Sequence, residues 1–434
     1  MGVATTDTAA SFTQRLHGRS TSIVMLLASY DLMLATLIIV AGSQGVYRFA
    51  PPLLLWVMIY AMVGLKFATN LRELLSVLRV NATILAFPAI AFVSATWSLV
   101  PSHSLYSAVQ LTVTYLAGIW IGWRYRPKDI AIVIVLALSP LIALSLVNSA
   151  TGVFGEAYSY TSGLLGIFGN KNTLGRMSLL LGLAVLGLVI NRQRRPFRDL
   201  TLLGLFAMAM LALLLSKSAT STIVMLGASA LFVLLTMRNY RAGFRLAIGA
   251  VGVFSVLFVG ALIAIGNVEP VGEVLGLFGK SSNLTGRTFL WELAYRQIGE
   301  RPWLGVGFDA YWDSGRFLAL DLIQRSYGSG LISFHNFVLD IWVGMGVPGL
   351  VAIFVTIGTI VVVNLRYFRA SRSIEAAMML AVITAAIGVA LFNPLLNGQH
   401  GNMIVILVAF TVSARIEIRR YTTPDTAGRR DVAQ

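Results

Sequence analysis

The sequence predicts an all-α polytopic membrane protein of about twelve transmembrane helices, with one large extracytoplasmic loop between the ninth and the tenth. Three observations carry that expectation. Of 434 residues, 57% are hydrophobic and only 12% charged, and the mean hydropathy is +0.80, which no water-soluble globule of this length would show. Apolar runs of roughly 20 residues recur along the chain, each long enough to cross a hydrocarbon core of about 30 Å as a helix. One stretch, 266–334, interrupts the series and concentrates polar residues.

Taken in order, the spans begin near Ser22, Phe49, Val80, Leu105, Ile130 and Thr173, then near Leu200, Ser218, Phe244, Phe334, Ser373 and Gly401. The first follows Arg15 and Arg19. Its apolar core of about 20 residues exceeds the roughly 7–15 of a cleaved signal peptide, so it reads as an uncleaved anchor. The chain then divides into a cytoplasmic tail 1–21, helices one to nine over 22–265, a periplasmic loop 266–334, helices ten to twelve over 335–417, and a second cytoplasmic tail 418–434.

Orientation follows from the basic residues. With both termini cytoplasmic, the inside segments hold 23 of the 33 Lys and Arg, among them Lys66, Arg72, Arg79, Arg124 and the run Arg192, Arg194, Arg195, Arg198. The positive-inside rule places the long loop outside. The net charge of +15 reflects this rule and attraction to anionic membrane lipids, and nucleic acid is not an expected partner. The long loop itself is balanced, with six basic residues against seven acidic. Zero cysteines excludes disulfides, thiolate metal sites and a cysteine nucleophile.

A few charged residues stand in nearly apolar surroundings. Lys217 lies in Leu-Leu-Leu-Ser-Lys-Ser-Ala-Thr, between two spans with hardly any loop. Lys171 lies in Phe-Gly-Asn-Lys-Asn-Thr just before a span, with Asn172 beside it and Arg176 about a turn later. A cation near the bilayer core costs about 2.5–3.5 kcal/mol on insertion scales, so it has a partner or a task. Snorkelling to the interface is one reading, and a bound anion such as a pyrophosphate is the other. Residues Thr285 to Gly299 read as an amphipathic helix capped by Thr285, which puts Arg287 in the first turn, where free N–H groups favour an anion. Ser333 can cap a helix starting at Phe334, which puts His335 in its first turn. There the helix dipole keeps the imidazole neutral, the form a general base needs. A structural surface arginine and a hydrogen-bonded structural histidine remain the plainer alternatives.

Other signals point to structure. Gly305-Val-Gly307-Phe-Asp309 lacks the preceding strand and the Gly-Lys-Ser/Thr of a phosphate loop and reads as a turn. Asp309 and Asp313 read as solvated acids, with metal binding or help to a base as the alternative. His103 and His400 read as structural, in short turns. Asp31 falls within the first span, where hydrogen bonding between helices or proton coupling would account for it. The 40 glycines indicate close helix packing.

Five motifs follow one another on this topology: Ser94-Ala-Thr-Trp97-Ser98…Pro101…Ser104, Phe168-Gly-Asn-Lys171-Asn172, Leu215-Ser-Lys217-Ser, Gly286-Arg287…Trp291…Pro302…Leu304-Gly-Val-Gly307, and His335-Asn336…Gly346…Gly349. In this order they resemble the O-antigen ligase and Wzy-type polysaccharide polymerase superfamily. The resemblance implies an inner-membrane glycosyltransferase, metal-independent and inverting, with no cofactor. Its donor would be an oligosaccharide on undecaprenyl pyrophosphate. Arg287 and Lys217 would hold the leaving pyrophosphate and His335 would position or deprotonate the acceptor. Lys171, Asn172, Arg176, Trp291 and Asn336 would bind substrate. The family commonly has arginine where Lys217 stands, and lysine lacks its bidentate fork. Polymerisation of exopolysaccharide repeat units is the preferred reaction. Ligation to a lipid A core sugar in lipopolysaccharide biosynthesis is the alternative, and a glycolipid flippase is a third. A chain-length regulator and a flippase of the same pathway are candidate partners.

Overall fold

A computed structural model describes residues 30–159, 163–189, 196–237, 287–313, 333–393 and 395–422. Their regular structure is helical, apart from one antiparallel bridge between Tyr158 and Leu164. The helices are α1 Tyr30–Gly42, α2 Pro52–Thr69, α3 Leu71–Val80, α4 Ala86–Ser94, α5 Pro101–Arg124, α6 Pro127–Thr151 and α7 Lys171–Val189. They continue with α8 Pro196–Leu215, α9 Ala219–Thr236, α10 Arg287–Glu300, α11 Phe337–Ser371, α12 Ile374–Ala390 and α13 Asn402–Thr422. Three of them, α2, α5 and α6, open on proline, whose fixed φ suits a first turn and whose missing N–H would have no partner there.

The chain is a multi-pass helical membrane protein. Among the described residues seven helices are long and apolar enough to cross a membrane (α2, α5, α6, α7, α8, α9 and α11), while α1 and α12 are shorter apolar helices. The span expected from Phe244 and the first residues of the span expected from Ser22 lie outside the described residues. The third expected span needs correction. It does not begin at Val80 as a straight helix: α3 meets the segment Ala82–Ser94 at 80°. The reason lies in α3 itself. Leu74 and Val77 are buried on one side while Arg72 and Arg79 ride on the same short helix, so it is amphipathic where a span would be apolar all round.

In α13 every residue from Met403 to Ala414 is buried. It packs on α5 at very short range. A Cβ on Gly122 would sit 2.3 Å from the Ala409 carbonyl oxygen, and one on Gly118 2.7 Å from that of Val405. Two glycines four apart thus let two helix backbones touch, the usual basis of association in lipid. By contrast α2 and α8 turn Leu53, Leu54, Val57 and Leu200, Leu203, Leu214 outward, as lipid-facing helices do. Asp31 is explained without proton coupling. Its two oxygens pair with Lys66 Nζ at 2.6 Å and Arg124 Nε at 2.6 Å, joining α1, α2 and α5 at one end of the bundle.

At the other end, α11 is broken at Gly346 (φ 62°, ψ −152°), and the break is filled by the Pro302–Phe308 segment. The Val343 and Gly344 carbonyls accept from Val306 N (2.9 Å) and Gly307 N (2.7 Å), while Val347 N donates to the Trp303 carbonyl (3.0 Å). On its far side the segment meets the α4–α5 turn. Leu99 N donates to Val306 O (2.8 Å), Phe308 N to Ser94 Oγ (3.0 Å), Trp97 Nε1 to Leu304 O (2.7 Å) and Ser104 Oγ to Phe308 O (2.7 Å). The glycine-rich run is therefore a structural strap, as the missing phosphate-loop signals predict. Its backbone groups are satisfied by a helix break on one side and a serine-lined turn on the other. The strap therefore ties the α11 break to the α4–α5 turn.

Candidate active site

The cationic residues come together around the start of α7 and the turn between α8 and α9. Asn170 Oδ1 accepts from Asn172 N (2.8 Å) and Thr173 N (3.3 Å), capping α7 so that Lys171 is its first residue. Across from it, Lys217 takes a left-handed conformation (φ 50°) that non-glycine residues rarely adopt. Its flanking serines hold that turn. Both are buried; Ser216 Oγ donates to Leu213 O (2.6 Å) and accepts from Ser218 N (3.2 Å), and Ser218 Oγ donates to Asn172 Oδ1 (3.3 Å). The Ser-Lys-Ser motif is thus one displayed cation between two anchors. Gly163 seals the corner: a Cβ there would lie 2.7 Å from both Lys171 Cδ and the Ser216 carbonyl oxygen.

Like charges meet in the corner. Lys171 and Lys217 are close enough to repel one another. No carboxylate among the described residues forms an ion pair with Lys217. Arg176 points its Nη2 at Thr173 Oγ1 (2.9 Å), and its Nε is buried with no hydrogen-bond partner among the described residues. Repelling cations in a low-dielectric setting are stabilised by a shared anion. At an effective ε near 20 a unit pair at 4 Å is worth about 4 kcal/mol before screening.

The second group surrounds His335, and here the expected cap is wrong. Asn336, not Ser333, caps the helix: its Oδ1 accepts from Val338 N (2.9 Å) and Leu339 N (3.3 Å), and α11 begins at Phe337. His335 therefore precedes the cap, in left-handed backbone (φ 53°), with its N–H on Ser333 Oγ (3.2 Å). Phe334 decides this. Its ring is buried and lies 5.0 Å from those of Tyr311 and Trp312. Its N–H donates to Asp340 Oδ1 (2.8 Å), and its carbonyl accepts from Trp291 Nε1 (3.1 Å). Pinned so, it cannot turn into the helix. Trp291 and Asn336, expected to bind substrate, thus have polar atoms committed to positioning: the indole N–H on Phe334 and the amide oxygen on the helix start. Arg287 is the first described residue of α10, and Thr285 lies outside the described residues. Leu290, Ala294 and Ile298 of α10 pack with Leu339 and Val343 of α11 in one apolar cluster.

A third group is absent from the sequence reading. His103, at the start of α5, reads from the sequence as structural, with no partner named, and Asp309 and Asp313 read as solvated. Instead His103 Nε2 lies 3.2 Å from Asp309 Oδ2 and Nδ1 lies 3.0 Å from Asp313 Oδ2. Ser107 Oγ (2.8 Å) and Gln399 Nε2 (2.6 Å) donate to the same Asp309 oxygen. No sequence signal joins residues 206 apart. His400 meets its structural expectation. It stacks on Trp56 (centroids 4.0 Å, 15°) and contacts the Tyr60 hydroxyl, and burial holds its imidazole down to about 4. Among the described residues no group of His, Asp and Glu has the arrangement of a metal site.

Comparison with known proteins bears on these groups. Residues 203–354 match the family model described as O-Antigen ligase, a stretch that contains Lys217, Arg287, Trp291, His335 and Asn336. The chain is also similar to the exopolysaccharide production protein ExoQ of Rhizobium meliloti (strain 1021), at 31% identity over 281 residues. That match covers 62% of this chain and spans 61% of the length of the relative.

Proposed function

We propose, from the chain's membership of the O-antigen ligase and polymerase family, that it transfers glycan from undecaprenyl pyrophosphate to an acceptor sugar at the periplasmic face of the bacterial inner membrane. The preferred reaction is polymerisation of exopolysaccharide repeat units, which the similarity to an exopolysaccharide production protein supports. The family model's description favours the second reading, ligation to a lipid A core. A glycolipid flippase is the third reading, and it would gain ground if changing Asp31 abolished function while changing His335 did not.

The observation that carries the proposal is the cation-rich corner formed by Lys171, Arg176 and the displayed Lys217. In the reaction the acceptor hydroxyl oxygen attacks the anomeric carbon from the face opposite the pyrophosphate. The new glycosidic bond forms as the bond to the phosphate oxygen breaks, which inverts the anomeric centre. His335 takes the hydroxyl proton, a contribution typically worth 10²–10⁴-fold. Lys217, Lys171 and Arg176, with Arg287 at the start of α10, neutralise the charge that develops on the leaving pyrophosphate, so no metal is called for.

Donor affinity tests this reading apart from turnover. Undecaprenyl pyrophosphate binding to the purified protein should weaken at least tenfold in Lys217→Ala and in Lys171→Ala, and should weaken in wild type as salt rises. Equal affinity in all three proteins would remove the cationic corner from the donor site.

A further inference from the structure

We propose that Asp309 is a positioning residue for His335, acting through the ring cage around Phe334. The inference rests on the reading of His335 as the base of the transfer site. The His103 cluster could instead be a second acid–base centre, but both imidazole nitrogens lie against carboxylate oxygens, at 3.2 and 3.0 Å, so none is left to accept a substrate proton. It is a clamp. One oxygen, Asp309 Oδ2, gathers His103 and Ser107 from α5 and Gln399 from the turn before α13. Two separate parts of the fold, α5 and the turn before α13, therefore meet the strap on a single carboxylate oxygen.

What the clamp holds is the end of the strap. Upstream of Asp309, the Pro302–Phe308 segment is fixed in the α11 break. At Asp309 the chain turns through left-handed backbone (φ 58°), a conformation that costs a non-glycine residue and persists where surrounding contacts enforce it. Two residues on, Tyr311 is buried, and it and Trp312 stand edge to face (centroids 5.0 Å, 84°) with the Phe334 ring against both. Phe334 is covalently next to His335 and has its own N–H and C=O held by Asp340 and Trp291. Release of Asp309 frees the strap end, loosens two of the rings that fix Phe334, and lets the imidazole wander. Misplacement by about 1 Å at a reacting group costs on the order of 10²-fold in rate.

The test compares Asp309→Gly, which tolerates the left-handed backbone but removes the carboxylate, with Asp309→Asn, which keeps an acceptor oxygen. Ser107→Ala and Gln399→Ala each remove one bond to the same oxygen and leave the strap backbone untouched, so they carry the test should the glycine variant fail to fold. Two quantities are read on full-length protein in nanodiscs: kcat and KM with a lipid-linked repeat unit, and the ¹⁵N imidazole signals of His335, assigned by their absence in His335→Gln. We expect kcat to fall about 10²-fold in Asp309→Gly and less in Asp309→Asn, with KM for the donor unchanged and the His335 signals displaced or broadened in the same order. Unchanged turnover in Asp309→Gly overturns the proposal. So does lost turnover with undisturbed His335 signals, which would make Asp309 a substrate contact. A wild-type protein that forms no glycan product refutes the reading of the reaction, and the His335 signals then decide the positioning claim alone.

Discussion

Gly346→Ala gives a stringent check on the strap. At φ 62° and ψ −152° the backbone lies in a region essentially reserved for glycine, and forcing an L residue there costs about 1–3 kcal/mol. The new Cβ would also stand 2.1 Å from the Trp303 carbonyl oxygen and 2.6 Å from Leu304 N, backbone atoms that no side-chain rotation can move aside. The strap has to leave. With it go the bonds from Val306 and Gly307 to α11 and the bond from Val347 back to Trp303, each worth about 1 kcal/mol net. Together these come to about 4–6 kcal/mol, which for 434 residues at typical unfolding entropies lowers the melting midpoint by roughly 4–7 °C. The control is Gly358→Ala on the same helix, where a Cβ meets nothing within 4 Å and better helix propensity should leave stability equal or slightly raised. The assay is thermal unfolding of both variants in one detergent, with glycan formation measured alongside. A Gly346→Ala protein that melts with wild type, or no lower than Gly358→Ala, would refute the reasoning.

Further outcomes follow from the same geometry. His335→Ala and Arg287→Ala should each abolish glycan product in a cell-based polymer assay while protein level on immunoblot stays constant; a fall in both together would point to folding. Lys217→Arg should retain much of the activity because the charge is preserved, and a complete loss there would sink a simple charge-holding role. His400 should make stability fall in acid. Its folded value of about 4 lies below the ordinary 6.5, so protonation favours the unfolded chain. Stability is full above about pH 6.5, declines as pH falls towards 4 and levels off below; His400→Gln should flatten that window in unfolding scans.

The helices were legible in the sequence where apolar residues run all round, as in α6, and where proline marks a first turn. The bend after α3 was not, because a ten-residue amphipathic helix with Leu74 and Val77 on one side and Arg72 and Arg79 beside them reads as a basic loop. At the site, Lys217 stood out because a cation between leucines is costly, and the structure adds the buried serines that display it. The cap at His335 was misread because Ser333 and Asn336 are both good caps. What separates them is the burial of Phe334, set by Tyr311, Trp312, Trp291 and Asp340. The clamp on His103 was out of reach for the same reason. Asp309 and Gln399 are 90 residues apart, and neither carries a local signal that it faces the other.

The most direct measurement uses the purified protein in nanodiscs with undecaprenyl-pyrophosphate repeat units from its own host. Half the reactions also contain lipid A core, and products are sized on a gel. The account predicts a ladder of lipid-linked glycans without lipid A, absent in His335→Ala. Glycan only on added lipid A would replace the polymerase with a ligase, and no product under either condition would contradict glycosyl transfer itself.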